Sequence, residues 1–180
     1  MPEFAKENNT YEGRQVPMDT DAERYLLGGI LRDPNTISPA IEMIAEDDFF
    51  YLERHQLIWR AMKNLYSRGT AIDMLTLPAE LESMGKLREA GNREYIFDLM
   101  ESVASAANVE WNLEHLRNKH VLRKLIKMSS ETIKQAMDAT SSPDEVLQSA
   151  ERSVFAIAEK QVKNTDRKST RLNSSHQVLS

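Results

Sequence analysis

The sequence predicts an all-α protein: a compact multi-helix head followed by a long antiparallel helical hairpin. Three observations lead there. Apolar residues recur at helical spacing through most of the 180 residues. The β-branched residues are scattered and never alternate for long, so no strand is predicted. From Asn108 to Gln161, finally, two extended helical patterns meet at Thr140, Ser141, Ser142 and Pro143, a natural turn.

Residues 1–16 are polar and mixed in charge and are expected to form a flexible arm. The head spans 17–107. Its first helix is expected to start with a capping box, Thr20 with Glu23, and to turn Leu26, Leu27, Ile30 and Leu31 inward. Gly28 and Gly29 lie inside that helix at a cost of roughly 1 kcal/mol each relative to alanine. Their expected use is the close approach of another helix. A phosphate loop would need its glycines before the helix and a following Lys-Ser or Lys-Thr, which are absent. After the turn Asp33, Pro34, Asn35, a short helix is expected over 38–45. Glu46, Asp47 and Asp48 read as a solvated cap rather than as metal ligands, since no calcium-loop pattern surrounds them.

The next helix, about 53–67, carries Leu57, Ile58, Ala61, Met62 and Leu65 and should stop at Arg68-Gly69. His55 on it is expected to be packed and hydrogen-bonded, because no Ser or Cys nucleophile pattern accompanies it. Asp73 and Thr76 are expected to cap a helix over 77–84, ended by Gly85, and Gly91-Asn92 to open another carrying Tyr95, Ile96, Leu99 and Met100.

Residues 108–162 form the hairpin. The first arm has Asn108 as N-cap and neither Pro nor Gly within it. His115 and His120 are five apart and so point in different directions, and Trp111 is expected to pack at the hairpin base. Ser142 and Glu145 form a capping box with Pro143 at the first helical position. The second arm carries Leu147, Ala150, Val154, Ile157 and Gln161 as a heptad-like seam, with Phe155 and Ala158 beside it. A hairpin with apolar surface to spare is usually a place where another chain docks.

Composition narrows the function. The chain has no cysteine, which excludes disulfides and thiolate metal sites and fits a reducing cytoplasm. The mean hydropathy is −0.53, no apolar run approaches the ~20 residues of a membrane span, and the start lacks a secretion signal. The net charge is −5; the last 18 residues hold four basic side chains and one acid, so residues 1–162 carry −8. Such an acidic body is poorly suited to grip phosphate backbones, and protein partners are the better expectation. The tail, 163–180, loses the helical period and is rich in Ser, Asn and Arg. It is expected to be disordered or non-native, resembling stray translated adaptor sequence. The competing reading is a native basic tail that reaches for nucleic acid.

These residues resemble a known family. The order Pro17, Asp21-Ala22-Glu23, Leu26-Leu27-Gly28, Leu31-x-Asp33-Pro34 is similar to the opening of the N-terminal domain of bacterial replicative DNA helicases of the DnaB type. The similarity continues through Asp48-Phe49-Phe50, His55-Gln56-x-Ile58, Arg68-Gly69-x-x-x-Asp73-x-x-Thr76 and Leu81. It closes with Gly91-x-x-x-Tyr95-Ile96-x-x-Leu99, Ala106-Ala107-Asn108-Val109-Glu110, Leu122-Arg123-x-Leu125-Ile126, and Ala150-Glu151 with Phe155. It covers about 17–161. The chain departs from the family at Ala90, where a second glycine is common, at Trp111-Asn112, where aromatic pairs are favoured, and at His115, usually aliphatic.

The resemblance implies a collar in DNA replication that joins helicase subunits and receives primase and a loader or initiator. It implies self-association through Leu122, Ile126, Ile133, Val154 and Phe155, as internal seam and dimer face, with dimers assembling three to a ring. It also implies primase docking at Asp21, Tyr95, Ile126 and Ile133. DNA would be met only through the parent ring, in the bacterial cytoplasm at the replication fork, with no membrane involved. The family's motor, which binds ATP and Mg, has no counterpart here: no G-x-x-x-x-G-K-[ST] occurs, and no glycine follows Gly91. The chain is therefore expected to have no catalytic, cofactor or metal residues and neither to hydrolyse ATP nor to unwind DNA alone. The alternatives are a stand-alone replication adaptor and a DNA-binding regulator acting through its tail.

Overall fold

The computed structural model describes residues 10–11, 14–138 and 140–176, and much of the expected N-terminal arm lies outside them. Seven α-helices follow a small strand pair: α1 (Thr20–Arg32), α2 (Ile37–Met43), α3 (Glu53–Ser67), α4 (Thr76–Ser83), α5 (Asn92–Glu101), α6 (Val109–Met137) and α7 (Pro143–His176). Short 3-10 turns, Pro34–Thr36 and Asp47–Phe49, precede α2 and α3. The strands, β1 (Thr10–Tyr11) and β2 (Arg14–Gln15), pair antiparallel. This corrects the expectation of no strand. Two residues separate them, a spacing that favours hairpins, and each is too short to show alternation in sequence.

The chain divides into two compact units, Met1–His120 and Val121–Ser180, and α6 runs from the first into the second. In the first unit, Leu26, Leu27 and Ile30 of α1, Ile58, Trp59 and Met62 of α3, Leu77 and Leu81 of α4, and Ile96 and Leu99 of α5 are all fully buried. Val109, Leu113 and Leu116 of α6 join the same core. The opening turns of α6, expected to start the hairpin, are thus head residues.

The glycine pair does what its position implied. A Cβ on Gly28 would lie 2.1 Å from the Leu99 carbonyl oxygen of α5, and one on Gly29 would lie 2.5 Å from Cγ2 of Val109. Only bare backbone lets α1 sit so close to α5 and to the start of α6. Gly69 and Gly85 end α3 and α4 with φ of +64° and +68°. The Thr70 amide then reaches back to the Leu65 carbonyl (3.0 Å), and the Lys86 amide to that of Leu81 (2.8 Å), closing each helix in a Schellman-like turn. Asp73 caps α4 as expected: its Oδ1 accepts the amides of Leu75 and Thr76, both at 2.8 Å.

The start of α1 differs from expectation. Asp19, one residue before the helix, is the cap, accepting the Ala22 amide at 2.9 Å. Glu23 is fully buried instead of completing a capping box. It falls in step with Leu26, Leu27 and Ile30, at i, i+3, i+4 and i+7, so the helix turns it inward with them.

In the second unit the Ser142–Glu145 capping box forms as the sequence implied. The Glu145 amide donates to Ser142 Oγ (3.2 Å), and the Ser142 amide to Glu145 Oε2 (3.4 Å). Asp138 Oδ1 accepts the amide and hydroxyl of Thr140 in the turn before it (2.9 and 2.8 Å). Helix α7 continues to His176, well into the segment expected to be disordered. No Pro or Gly follows Pro143, so nothing there interrupts the backbone ladder, even though the apolar period is lost. Residues 177–180 lie outside the described residues.

Candidate docking surface

On the second unit, α6 and α7 each keep large apolar side chains in solvent. Leu122, Ile126, Ile133 and Met137 lie within about 60° of one another around α6. Leu122, Ile133 and Met137 are exposed, Ile133 by 44% and Met137 by 82%, and Ile126 is half-buried. On α7, Leu147, Val154 and Phe155 are exposed, Phe155 by 68%. The half-buried positions of α7 are instead Val146, Ser149, Ala150, Ser153 and Ile157.

Of the seam expected at Leu147, Ala150, Val154, Ile157 and Gln161, Ala150 and Ile157 are half-buried, while Leu147 and Val154, and Phe155 beside them, are exposed. Val146 and Ser153, each one residue and so about 100° from Leu147 and Val154, are half-buried in their stead. Ser153 Oγ returns its hydrogen bond to the Ser149 carbonyl (2.9 Å), and Thr132 Oγ1 its own to that of Met128 (3.0 Å). Those hydroxyls are satisfied within their own helices. The exposed stripes present hydrocarbon.

The predicted partner residues divide between the units: Ile126 and Ile133 on the second, Asp21 and Tyr95 on the first. Asp21 is exposed in the first turn of α1, 4.0 Å from Arg24. Tyr95 is half-buried on α5 and ends a polar chain that crosses the head core. Its hydroxyl is 2.6 Å from His55 Nε2, and His55 Nδ1 is 2.6 Å from Glu23 Oε2. Glu23 also accepts the backbone amides of Tyr51 and Leu52. Glu23 and His55 are both fully buried, so no substrate reaches the imidazole. Burial pushes the Tyr95 hydroxyl above its usual value, which keeps it protonated. The assignment that satisfies each group has His55 Nδ1–H donating to the carboxylate and the tyrosine O–H donating to Nε2.

His115 and His120 diverge as expected. His115 Nε2 meets Asp19 Oδ2 at 2.9 Å, and its ring stacks on Trp111 with centroids 5.0 Å apart. Trp111 is 64% exposed, which corrects the expectation that it packs at the base of the hairpin. The Ala22 amide, and then the partly buried contact with His115, hold the Asp19 carboxyl below its usual value. His120 Nε2 lies 4.0 Å from Glu46 and 3.9 Å from Asp48. Among the described residues these three form the group with a donor set able to hold a cation, their ligand atoms lying within 4.8 Å of one another. Asp47 turns away to Arg60 and Lys63. Against the upward push of burial, those two cations hold its carboxyl below the usual range.

Sequence reasoning missed Glu23 and the extent of the polar chain it anchors. The signal was present in the i, i+3, i+4, i+7 step from Glu23 to Ile30, but the partner histidine lies 32 residues away. No helix among the described residues is long and apolar enough to cross a membrane.

Comparison with known proteins places this geometry among replication proteins. Residues 15–118 match the family described as the DnaB-like helicase N terminal domain. The chain is 36% identical over 146 residues to the replicative DNA helicase DnaB of Buchnera aphidicola subsp. Baizongia pistaciae, covering 81% of this chain and 31% of that protein. It is 32% identical over 152 residues to the replicative DNA helicase DnaC of Bacillus subtilis, covering 84% and 33%. The chain thus spans about a third of the length of the curated relatives it matches. Among solved structures, the N-terminal domain of DnaB helicase from Mycobacterium tuberculosis has a TM-score of 0.74 and 29% identity, covering 79% of this chain and 99% of that one. A DnaB-like replicative helicase, solved with attention to its interactions with primase, shares the fold at a TM-score of 0.64 and 24% identity, over 77% of this chain and 31% of that one.

Proposed function

Because the chain belongs to the family of DnaB-like helicase N-terminal domains, we propose that it is the collar of a replicative helicase, a scaffold that pairs subunits and receives primase. The observation that carries this is the exposed hydrocarbon on both helices of the second unit, at Leu122, Ile133, Met137, Leu147, Val154 and Phe155. Monomeric soluble proteins rarely leave so many large apolar side chains along two helices in water. Paired against a second copy, an isologous contact would cover the same stripe on both chains with one set of residues.

In this reading Leu122, Ile126, Ile133, Val154 and Phe155 form the subunit contact. Asp21 and Tyr95 on the head, with Ile126 and Ile133, receive primase, and loader or initiator proteins use the same domain. ATP-driven unwinding belongs to the part of the relatives that this chain does not span, together with ATP, Mg and the grip on DNA. The relative solved with attention to primase interactions supports the primase assignment. Sedimentation velocity across a range of concentrations tests the scaffold role. The expected result is a reversible dimer or higher multiple, and a chain that stays monomeric at high concentration would refute it.

A further inference from the structure

The buried polar chain of the head links Glu23 on α1, His55 on α3 and Tyr95 on α5. Glu23 and His55 are fully buried, and taking a carboxylate out of water costs more than an apolar trio of the same volume would. What the chain adds is orientation. Glu23 is held by the Tyr51 and Leu52 amides, His55 by Glu23, and Tyr95 by His55. The histidine and tyrosine rings lie nearly parallel, 15° apart with centroids at 5.9 Å.

The Arg54 guanidinium lies over the Tyr95 ring at 4.9 Å. The bare α-carbon of Gly91 lets α5 set Tyr95 close against its own N-terminus, since a side chain at 91 would come within 2.7 Å of the tyrosine Cβ. Tyr95 is thus a half-buried aromatic held by His55 through its hydroxyl and ring and by Arg54 over its face, with its hydroxyl turned to the His55 imidazole.

We propose that Glu23 and His55 are positioning residues for Tyr95: they draw its hydroxyl into the head and so preset the ring, with Arg54 upon it, as a rigid aromatic anchor for primase. This rests on the collar reading and deepens it. An anchor already held in place spares the rotamer entropy that a free tyrosine would lose on docking. It also means that the partner meets the ring and the arginine, and never the hydroxyl.

The test is a double-mutant cycle read by calorimetric titration of full-length primase into the 180-residue chain, with thermal melts alongside. His55→Leu and Tyr95→Phe each weaken binding by about tenfold, and the double variant is no weaker than either single one, because both break the same link. His55→Gln, which can still meet the tyrosine hydroxyl, recovers most of the affinity. If Tyr95→Ala weakens binding while His55→Leu and Tyr95→Phe bind like the unmodified chain, the positioning role is overturned and the collar reading stands. Additive losses in the double variant overturn it equally. If primase does not bind the unmodified chain at all, the collar reading fails and takes the proposal with it. Should His55→Leu not fold, Tyr95→Phe carries the test. Its binding loss must then coincide with faster solvent exchange of the His55 Nδ1 proton in NMR spectra, and a loss without that change overturns the role.

Discussion

Aspartate placed together at positions 126 and 133 should separate the subunits without unfolding them. Ile133 keeps 44% of its surface in water, so covering that share in a subunit contact contributes about 1 kcal/mol, with a similar or smaller amount from the half-buried Ile126. A two-fold contact counts both residues twice, giving about 3 kcal/mol of lost burial. Each aspartate must also lose water with no cation opposite it, which adds several kcal/mol. A total penalty of about 5 kcal/mol or more corresponds to a dissociation constant at least a thousandfold weaker. Sedimentation equilibrium over a wide concentration range measures this, with far-UV circular dichroism to show that the helices persist. A folded double variant that associates as tightly as the unmodified chain would refute the assignment of this face.

Other consequences concern stability. Gly28→Ala should destabilise the head by about 1–3 kcal/mol despite alanine's better helix propensity, since the new methyl meets the Leu99 carbonyl and backbone cannot swing aside; urea unfolding reads it. Asp73→Ala should cost about 1 kcal/mol by the same assay, because two amides lose their acceptor. Glu80 pairs with Arg68 and accepts from Asn64, and these contacts hold its carboxyl below the usual 4.5. As pH falls the unfolded chain takes up that proton first, so the stabilisation is present above 4.5 and is lost as pH drops through the folded value. The unfolding midpoint of Glu80→Gln should accordingly fall less between neutral pH and pH below 4.5 than that of the unmodified chain.

Much of the architecture was readable because its causes are local. The Ser142–Glu145 box, the glycine stops after α3 and α4, and the unbroken run of α6 each depend on residues within one or two turns. The glycine pair was readable too, since glycine inside a helix has few uses other than close approach. Glu23 shows where such reasoning ends. Thr20 with Glu23 has the same spacing as Ser142 with Glu145, yet one glutamate caps a helix and the other is buried in the core. The difference lies in His55 and the amides of Tyr51 and Leu52, distant in sequence and brought close only by packing. Trp111, expected to pack at the hairpin base, is exposed instead, where the His115 ring gives it a stacking partner. On α7 the heptad spacing found Ala150 and Ile157 but not the neighbouring Val146 and Ser153, which are half-buried where Leu147 and Val154 are exposed.

The central claim is that this chain is a docking scaffold, and titrating full-length primase into it measures that most directly. The account predicts saturable binding with a negative heat-capacity change, the mark of apolar surface leaving water, and marked weakening by Ile133→Asp. Absence of binding, or binding that Ile133→Asp leaves untouched, would contradict it.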